Sequence, residues 1–480
     1  MRIHNTLTGK KEEFKPLREG QVSMYVCGVT TYDYSHLGHA RTYVSFDVIR
    51  RYLLYSGYDV KFIQNVTDVD DKIINRAKEA KQEPLSLSTK FDMLSREDFA
   101  SLSILPASLY PKVTENIPKI ISLVQKLLQK GFAYETKTGI YFDVAKFPSY
   151  GKLSHQNMQK IKSGARIEVD EKKKNPADFA LWKLVPPDEL GFPSPFGRGR
   201  PGWHIECSAM ALNYAGETLD MHGGARDLIF PHHENEIAQS ESATGKKFVN
   251  YWVHTGFLTV NGEKMAKSLG NFITIRVALK KFDANAIRFF FIQTHYRSPI
   301  DFSEEAILSA GRTLDGVFGT LQRARETAQT SANKEEDSEF EEKIEKTFSS
   351  LLLRMDDDFD TPNALASFFE MISLTNSHLS SPRPSSPTLS HAVRKLETIL
   401  EIFAISEEKK ELPLGKLQKI LVELGEKKPP SSAEDCMKKI IQMRDTARKK
   451  KDYAASDKIR AMLAKEGITL EDEGGKTTYK

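Results

Sequence analysis

The run Val22–Val26, the helical period that begins at His36 and the β-rich run Asp59–Val66 constrain this chain more than any other feature. Val44, Val48, Ile49, Tyr52 and Leu53 recur at helical spacing, and Gly57 closes the period. Strand, helix and strand in that order predict a βαβ unit. Its two strands are parallel, because a crossover helix joins them, and such units build α/β, doubly wound parallel sheets. In these sheets ligands sit beyond the carboxyl ends of the strands. Cys27, His36 and Thr67 all fall at that edge.

With 480 residues the chain exceeds one core and should divide into three or four units. No apolar run approaches the roughly 20 residues that span a bilayer, so no membrane association is expected. The N-terminal segment MRIHNTLTGKKEEF lacks an apolar signal region, and Cys27, Cys207 and Cys436 are the only cysteines. Both point to a cytoplasmic protein without a disulfide framework. There is no CxxC, so any metal site must be assembled from distant parts of the chain. The net charge of +4 neither demands nor excludes a nucleic-acid partner. Two local basic clusters, Lys172–Lys174 and Arg448–Lys451, read equally well as phosphate contacts or as solvated surface.

Composition shifts divide the chain. Residues 1–111 and 201–252 form the sheet domain, and 112–200 are an insertion with one helix through Leu123, Leu127 and Leu128 before a polar stretch. Residues 253–310 are a stem carrying a Gly-flanked loop, and 311–405 a helical bundle. Residues 430–480 are a small α+β unit with a capping box from Ser431 to Glu434 and a terminal hairpin around Gly474-Gly475. Polar linkers are expected near Thr330–Asp337, Ser380–Pro387 and Lys427–Ser432.

Two short motifs suggest phosphate chemistry. His36-Leu37-Gly38-His39 places two imidazoles at i and i+3 on the first turn of a helix, where free N–H groups and the dipole favour an anion. Lys264-Met265-Ala266-Lys267-Ser268 brings two ammonium groups into a loop bounded by Gly262 and Gly270, suited to charge developing on a departing polyphosphate. Alone, each has a plain alternative: a surface histidine pair and a solvated basic loop.

In order, YVCGVTTYDYSHLGHAR, NVTDVDDKI, GRPGWHIECSAM, LDMHGGARDLIFPHHENEIAQS and KMAKSLGNF closely resemble the sequence blocks of the cysteinyl branch of class I aminoacyl-tRNA synthetases. The resemblance covers nearly the whole chain. It implies a Rossmann-like catalytic domain, ATP-dependent activation of L-cysteine and transfer to the terminal ribose of tRNA(Cys). It further implies one Zn²⁺ per chain and Mg²⁺ with ATP, in a monomeric enzyme. Cys27, Cys207, His232 and Glu236 match the family's zinc ligands. His232 and Glu236, at i and i+4, share a helix face, and two thiolates from separate strand ends complete the set. His233 is expected to point away, into the nucleotide site. The resemblance assigns His36, His39, Lys264 and Lys267 to catalysis and ATP binding, Gly223, Gly224 and Asp227 to the nucleotide, and Thr67 and Trp203 to the amino acid. Arg448, Lys449, Lys450 and Tyr479 are assigned to tRNA. Arg297 and Asp301 belong to the stem, and Cys436 to the C-terminal core.

The chain departs from the family pattern at Ala266, where Ser is usual, and at Tyr479, where Trp is usual. Zinc explains why no editing domain is needed: one extra or altered atom supplies only about 1–3 kcal/mol of discrimination by shape, whereas a soft metal separates thiolate from hydroxyl. A ligase joining cysteine to a small amine acceptor on the same scaffold is a rival reading. Its weakness is that the basic C-terminal unit would have no purpose there.

Overall fold

The computed structural model describes residues 1–156, 173–265, 271–407, 414–466, 468, 470–473 and 476–479. The chain divides into two units, Met1–Ser406 and Glu407–Lys480.

The first unit opens with a hairpin of β1 (Arg2–Asn5) and β2 (Lys10–Glu13). β3 (Gln21–Val26), α1 (Leu37–Tyr55) and β4 (Asp59–Gln64) are the βαβ unit read from the sequence, with β3 and β4 parallel from Gln21↔Asp59 to Val26↔Gln64. Helices α2 (Asp71–Ala80), α3 (Pro84–Ser101) and α4 (Ile117–Gln129) follow. Beyond α4 lies a feature the sequence reading missed, an antiparallel sheet of β5 (Ala133–Thr136), β6 (Gly139–Phe142), β7 (Phe179–Leu184) and β8 (Gly199–Pro201). Its strands are short and interrupted, so their alternation is too brief to register as a period.

The chain then returns to the central sheet through α5 (Trp203–Tyr214), β9 (Leu219–Ala225), α6 (Glu234–Thr244) and β10 (Val249–Thr255). The strand order is β10-β9-β3-β4, all parallel. Met24, Tyr25, Val26, Ile63, Met221 and Val253 are buried, as expected for a sheet covered on both faces. From β3 the chain builds outward to β4 and later resumes on the other side as β9. The sheet's order therefore reverses between β3 and β9, where doubly wound folds place their ligands. Here the Cys27 N–H donates to Gly223 O at 3.2 Å.

A smaller sheet of β11 (Leu258–Val260), β12 (Glu263–Lys264) and, after α7 (Ile275–Leu279) and α8 (Ala284–Ile292), β13 (Ile300–Phe302) forms the stem. Its side-chain brace is Asp301, which accepts from the Thr259 hydroxyl and the Gly262 N–H. Four helices complete the unit: α9 (Glu304–Thr330), α10 (Ser338–Asp356), α11 (Thr361–Leu379) and α12 (Ser386–Phe403). Leu314, Leu321, Ile344, Leu351, Phe368, Met371 and Leu396 fill their core. Ser303, Asp337, Asp360 and Ser385 cap the four N-termini by accepting backbone N–H bonds. The expected linker Ser380–Pro387 ends early, because Ser385 caps α12 and Pro387 sits in its first turn, where a missing N–H costs nothing.

Buried Asp358 ties hairpin, stem and bundle together by accepting from the His4 N–H (2.8 Å), the Tyr296 hydroxyl (2.6 Å) and Arg297 Nε (2.7 Å). Among the described residues no helix is long and apolar enough to cross a membrane.

The second unit consists of α13 (Leu414–Glu423), α14 (Ala433–Lys449), α15 (Tyr453–Lys465) and a hairpin of β14 (Leu470–Glu473) and β15 (Lys476–Tyr479). Leu417, Leu421, Cys436, Met437, Ile440 and Leu463 form its core. The helix cap is Ser432, one residue beyond the expected Ser431, and its hydroxyl accepts from the Asp435 N–H at 3.1 Å.

Candidate functional site

Cys27 follows the last residue of β3, Cys207 lies in α5, His232 stands two residues before α6 and Glu236 is in its first turn. The expectation that both thiols come from strand ends holds for Cys27 alone; the second is carried by a helix packed against α6. All four side chains are buried, and one donor atom from each lies within 4.8 Å of the others. Cys27 Sγ stands 3.9 Å from Cys207 Sγ and 3.7 Å from Glu236 Oε1, and His232 Nε2 is 3.0 Å from Glu236 Oε1. Tetrahedral zinc at ordinary bond lengths would put sulfur–sulfur, sulfur–oxygen and nitrogen–oxygen pairs about 3.8, 3.5 and 3.3 Å apart. The donors are thus gathered to within a few tenths of an ångström of a metal's requirement.

Their charges are strongly coupled. Burial pushes the Cys27 thiol up, while the hydrogen bond from Cys27 brings Cys207 down to about 6. Burial would raise Glu236, but His222 and His232 outweigh it and hold the carboxyl at about 2. Burial likewise opposes the His232 charge, yet Cys207 and Glu236 lift it to about 10. Two anionic donors, Cys207 and Glu236, converging on one buried point form a cradle for a cation.

A second layer of imidazoles surrounds this set. His222 Nε2 meets Glu236 Oε2 at 2.9 Å, and His204 Nδ1 meets His232 Nδ1 at 2.9 Å. His233 was expected to leave for the nucleotide site; instead its Nε2 is 3.3 Å from Cys27 Sγ and its Nδ1 2.7 Å from His254 Nε2. Cys27, His222, His233 and Glu236 form an overlapping four-donor set. Burial keeps His204, His233 and His254 low, the last at about 3. Of the chain's 12 histidines, five gather here. His204, His222 and His254 escaped the sequence reading. The available signal was adjacency: His204 to Trp203, His222 to Gly223 and His254 to the end of a predicted sheet segment.

Trp203, half-exposed at the start of α5, lays its ring 4.4 Å from the His232 ring. Thr67 is buried three residues past β4, its hydroxyl 3.4 Å from Glu206 Oε2. Trp203 therefore lies against a donor of the cluster, and Thr67 against the chain neighbour of Cys207.

His36 caps α1. Its Nδ1 accepts from the Gly38 and His39 N–H groups at 3.1 and 3.4 Å, and its own N–H donates to His39 Nδ1 at 3.4 Å. The Leu37 N–H is bonded to Ile273 O and the Ala40 N–H to His36 O. The expected free N–H groups are therefore all occupied, because the imidazole itself satisfies the helix end. Both rings accept at Nδ1, so in the neutral imidazole Nε2 carries the proton. The rings stack 3.7 Å apart, and burial holds His39 neutral, far below its ordinary range. A side chain at Gly38 would strike the His36 ring at 2.9 Å.

The His36–His39 segment is bonded through the backbone to residues that follow the lysine loop. Leu37 N–H donates to Ile273 O, and Ile275 N–H to Ser35 O, at 3.0 and 2.9 Å. Phe272 places its ring 5.0 Å from His36. Ala266, Lys267 and Ser268 lie outside the described residues, and Lys264 is described through its backbone alone.

Gly223 lies within β9, where a Cβ would meet the Phe46 ring of α1 at 2.2 Å; its neighbour Gly224 packs against Leu228 and His233. Asp227 is exposed in the turn beyond β9.

Residues 13–312 match the family model for the tRNA synthetases class I (C) catalytic domain, and residues 353–405 match a DALR domain. A cysteine–tRNA ligase of Thermococcus onnurineus is 48% identical over 486 residues, covering 100% of this chain and 99% of the relative. This chain belongs to the cysteine–tRNA ligase family of class I tRNA synthetases. A Methanococcus maripaludis relative of the same name is also 48% identical, over 98% of this chain and 97% of its own.

The family's fold extends beyond the cysteinyl branch. The Mycobacterium tuberculosis methionyl-tRNA synthetase in complex with methionyl-adenylate superposes with a TM-score of 0.62 at 18% identity, over 80% of this chain and 89% of that one. The Agrobacterium radiobacter LeuRS–tRNA–LeuAMS ternary complex gives 0.62 at 11% identity, over 82% and 85%.

In the C-terminal unit of this family member, Arg448 reaches Asp472 at 3.0 Å and shares it with Arg444 and Arg460. Lys449 and Lys450 are exposed at the end of α14. Tyr479 is described through its backbone alone. Cys436, buried in α14, donates to Pro430 O and lies within the apolar core.

Proposed function

We propose that this chain activates L-cysteine with ATP and joins it to the terminal ribose of tRNA(Cys). The observation that carries the reading is the buried Cys27, Cys207, His232 and Glu236 cluster, in a chain 48% identical to cysteine–tRNA ligases over its full length. The donor chemistry and spacing fit Zn²⁺, and these four residues would hold it. Bound there, zinc supplies a soft Lewis acid that takes a thiolate and leaves a serine hydroxyl.

The chain's own residues carry the remaining work. ATP enters as its Mg²⁺ complex along the rim beyond β3 and β9, where Gly223 lets the Phe46 ring of α1 pack close, Gly224 makes room for Leu228 and His233, and Asp227 is available to the nucleotide. The Nε2–H groups of His36 and His39 donate to the phosphates, and Lys264 and Lys267 neutralise charge as pyrophosphate leaves. Trp203 and Thr67 hold the amino acid so that its carboxylate meets the α-phosphorus, and positioning replaces any covalent nucleophile. The RNA hydroxyl then attacks the adenylate carbonyl, losing its proton as the bond to phosphate breaks and AMP leaves. Lys449 and Lys450, with Arg448 and Tyr479, are the contacts assigned to tRNA in the C-terminal unit. The enzyme is read as a cytoplasmic monomer.

The test is cysteine-dependent ATP–pyrophosphate exchange by zinc-loaded protein with serine as competitor, followed by charging of purified tRNA(Cys). Exchange with cysteine alone and subsequent charging is the expected result. No exchange in zinc-loaded protein refutes the reading, and exchange without charging moves it to a small-acceptor ligase.

A further inference from the structure

Ser88, Phe91, Ser95 and Asp98 recur on α3 at intervals of three and four, so they line one stripe, and all four are buried. Ser88 shares a hydrogen bond with the Thr31 hydroxyl, the Phe91 ring meets Tyr34 edge-on at 5.3 Å, and Ser95 Oγ accepts from the Ser35 hydroxyl at 3.0 Å. The stripe thus follows the loop that runs from Cys27 to His36. At its far end α3 meets Arg276 of α7. The guanidinium donates to Glu97 Oε2 at 2.6 Å and Leu94 O at 3.3 Å, and its Nε lies 2.8 Å from Asp98 Oδ1. The loop and the start of α7 are also joined directly, by an antiparallel bridge between His36 and Thr274. Serine and aspartate are poor residues for a helix interior, and buried polar groups cost free energy unless they are bonded. An apolar stripe would hold α3 at least as firmly. Directional bonds do something else: they fix a register.

We propose that α3 is a positioning element for adenylate formation, and that Arg276 is the residue through which it sets the exit of the lysine loop against the His36–His39 turn. This rests on the cysteine-activating reading and names what aligns that site. The entry of the loop is fixed separately, because β12 pairs with β11 and the Gly262 N–H donates to Asp301. The exit, residues 273–275, depends on its backbone bonds to Ser35 and Leu37 and on Arg276, which ties α7 to α3. Ser35 and Arg276 are held by successive turns of one helix, so a slip of either partner in the His36–Thr274 bridge breaks a bond to α3. Arg276 acts in this role through the backbone of α7, as a positioning residue. Displacing a reacting group by about 1 Å costs about 10²-fold in rate even when the change lies far from the chemistry.

The experiment is cysteine-dependent pyrophosphate exchange by zinc-loaded full-length protein. Arg276→Met, which keeps the stem of the side chain, is expected to lower kcat about 10- to 100-fold while KM for ATP and for cysteine stay within about twofold. Arg276→Lys returns a cation to the two carboxylates and is expected to recover more than half of that loss on a logarithmic scale. Arg96, on the same helix, supplies the control: it pairs with Asp92 at 2.9 Å and lies over the Tyr110 ring at 3.9 Å, partners outside both motif segments. Arg96→Met is expected to lower the melting temperature and leave kcat within about twofold of wild type. An equal fall of kcat in Arg96→Met, a rise in KM with kcat kept, or a wild-type kcat in Arg276→Met overturns the inference. If Arg276→Met fails to fold, Ser95→Ala decides: loss of one neutral hydrogen bond is expected to lower kcat about threefold to tenfold at unchanged KM, and an unchanged kcat overturns the proposal. A wild type silent with cysteine removes the activating reading, whereas an active wild type matched by Arg276→Met removes this inference alone.

Discussion

Asp47 and Arg288 offer a quantitative test of how the catalytic sheet is braced against the stem. Both side chains are about 1% exposed and form a direct ion pair. Arg288 also donates from Nε to Phe403 O in the bundle and from Nη1 to Leu102 O at 3.0 Å. Asp47 accepts a second cation, Arg51 Nε at 2.8 Å, and the Leu105 N–H at 2.8 Å. Removing one partner from a buried pair typically costs about 3–5 kcal/mol, mostly the penalty of the charge left behind. Arg288→Met leaves Asp47 with Arg51, so its cost should lie near 3 kcal/mol. Asp47→Asn leaves Arg288 without an anion and should cost about 4–5 kcal/mol. In the double variant neither charge is stranded, so the total should fall short of the sum by about 2 kcal/mol. Urea unfolding followed by far-ultraviolet circular dichroism, with unchanged slopes, measures all three. Additivity within about 0.5 kcal/mol would refute the claim that these residues act as a pair.

Four shorter predictions follow from other sites. His222→Phe keeps the stack on Trp252, whose ring lies 4.6 Å away, but removes the donor to Glu236; zinc affinity should fall about 10- to 100-fold in chelator competition, and an unchanged affinity would contradict the role given to His222. Lys267→Ala should lower kcat for pyrophosphate exchange about 10²- to 10³-fold with little change in KM for cysteine, while a pure KM effect would assign the residue to ground-state binding. Burial pushes Asp98 up to about 6 despite the Arg276 guanidinium 2.8 Å away. The folded state therefore favours the protonated acid, and stability should decline as pH rises from about 4 to 6 by at most about 3 kcal/mol; thermal melts of Asp98→Asn that keep the full slope would refute this. Hydrogen bonds from Arg444 hold Asp472 well below the usual carboxylate range. Its contribution is present above about pH 4 and lost only in stronger acid; Asp472→Asn should weaken hydrogen-exchange protection in α14 and the hairpin by about 2 kcal/mol, and unchanged protection would refute it.

The βαβ unit was legible because Val22–Val66 carries two clean periods bounded by Gly57. The four cluster donors were legible as positions within family blocks, yet nothing local shows that residues 27, 207, 232 and 236 converge. That fact belongs to the sheet order, which brings β9 beside β3 and packs α5 against α6. Cys207 was misplaced onto a strand end because GWHIECSAM mixes polar and apolar residues with no clear helical period; its helix is buried along most of its length, polar Glu206 and Ser208 included. His233 was sent elsewhere on the assumption that adjacent residues diverge, but the irregular backbone before α6 lets both imidazoles reach the cluster. The capped α1 terminus was invisible because the motif was scored for what its N–H groups offer a ligand. His36, an uncommon cap, already uses them.

These placements bear on how one site handles two unlike ends of its reactants. The carboxyl end of β3 carries Cys27 and, across a single loop ending at Ser35, the imidazole pair that begins α1. Ser35 is clamped by the Ile275 N–H, and Leu37 by Ile273 O, so the segment beyond the lysine loop shares the same frame. Cys27 of the four-donor cluster and the His36–His39 imidazole pair therefore hang from one strand end. Their separation is set by a crossover connection that is pinned at both sides. Precise spacing is what an enzyme needs if positioning, rather than a covalent nucleophile, brings carboxylate and phosphorus together. It also explains why buried polar groups are concentrated along this edge. Asn65, Thr67 and Glu206 join the segments bearing Cys27 and Cys207 at a fixed distance, so the four-donor cluster and the start of α1 cannot drift independently.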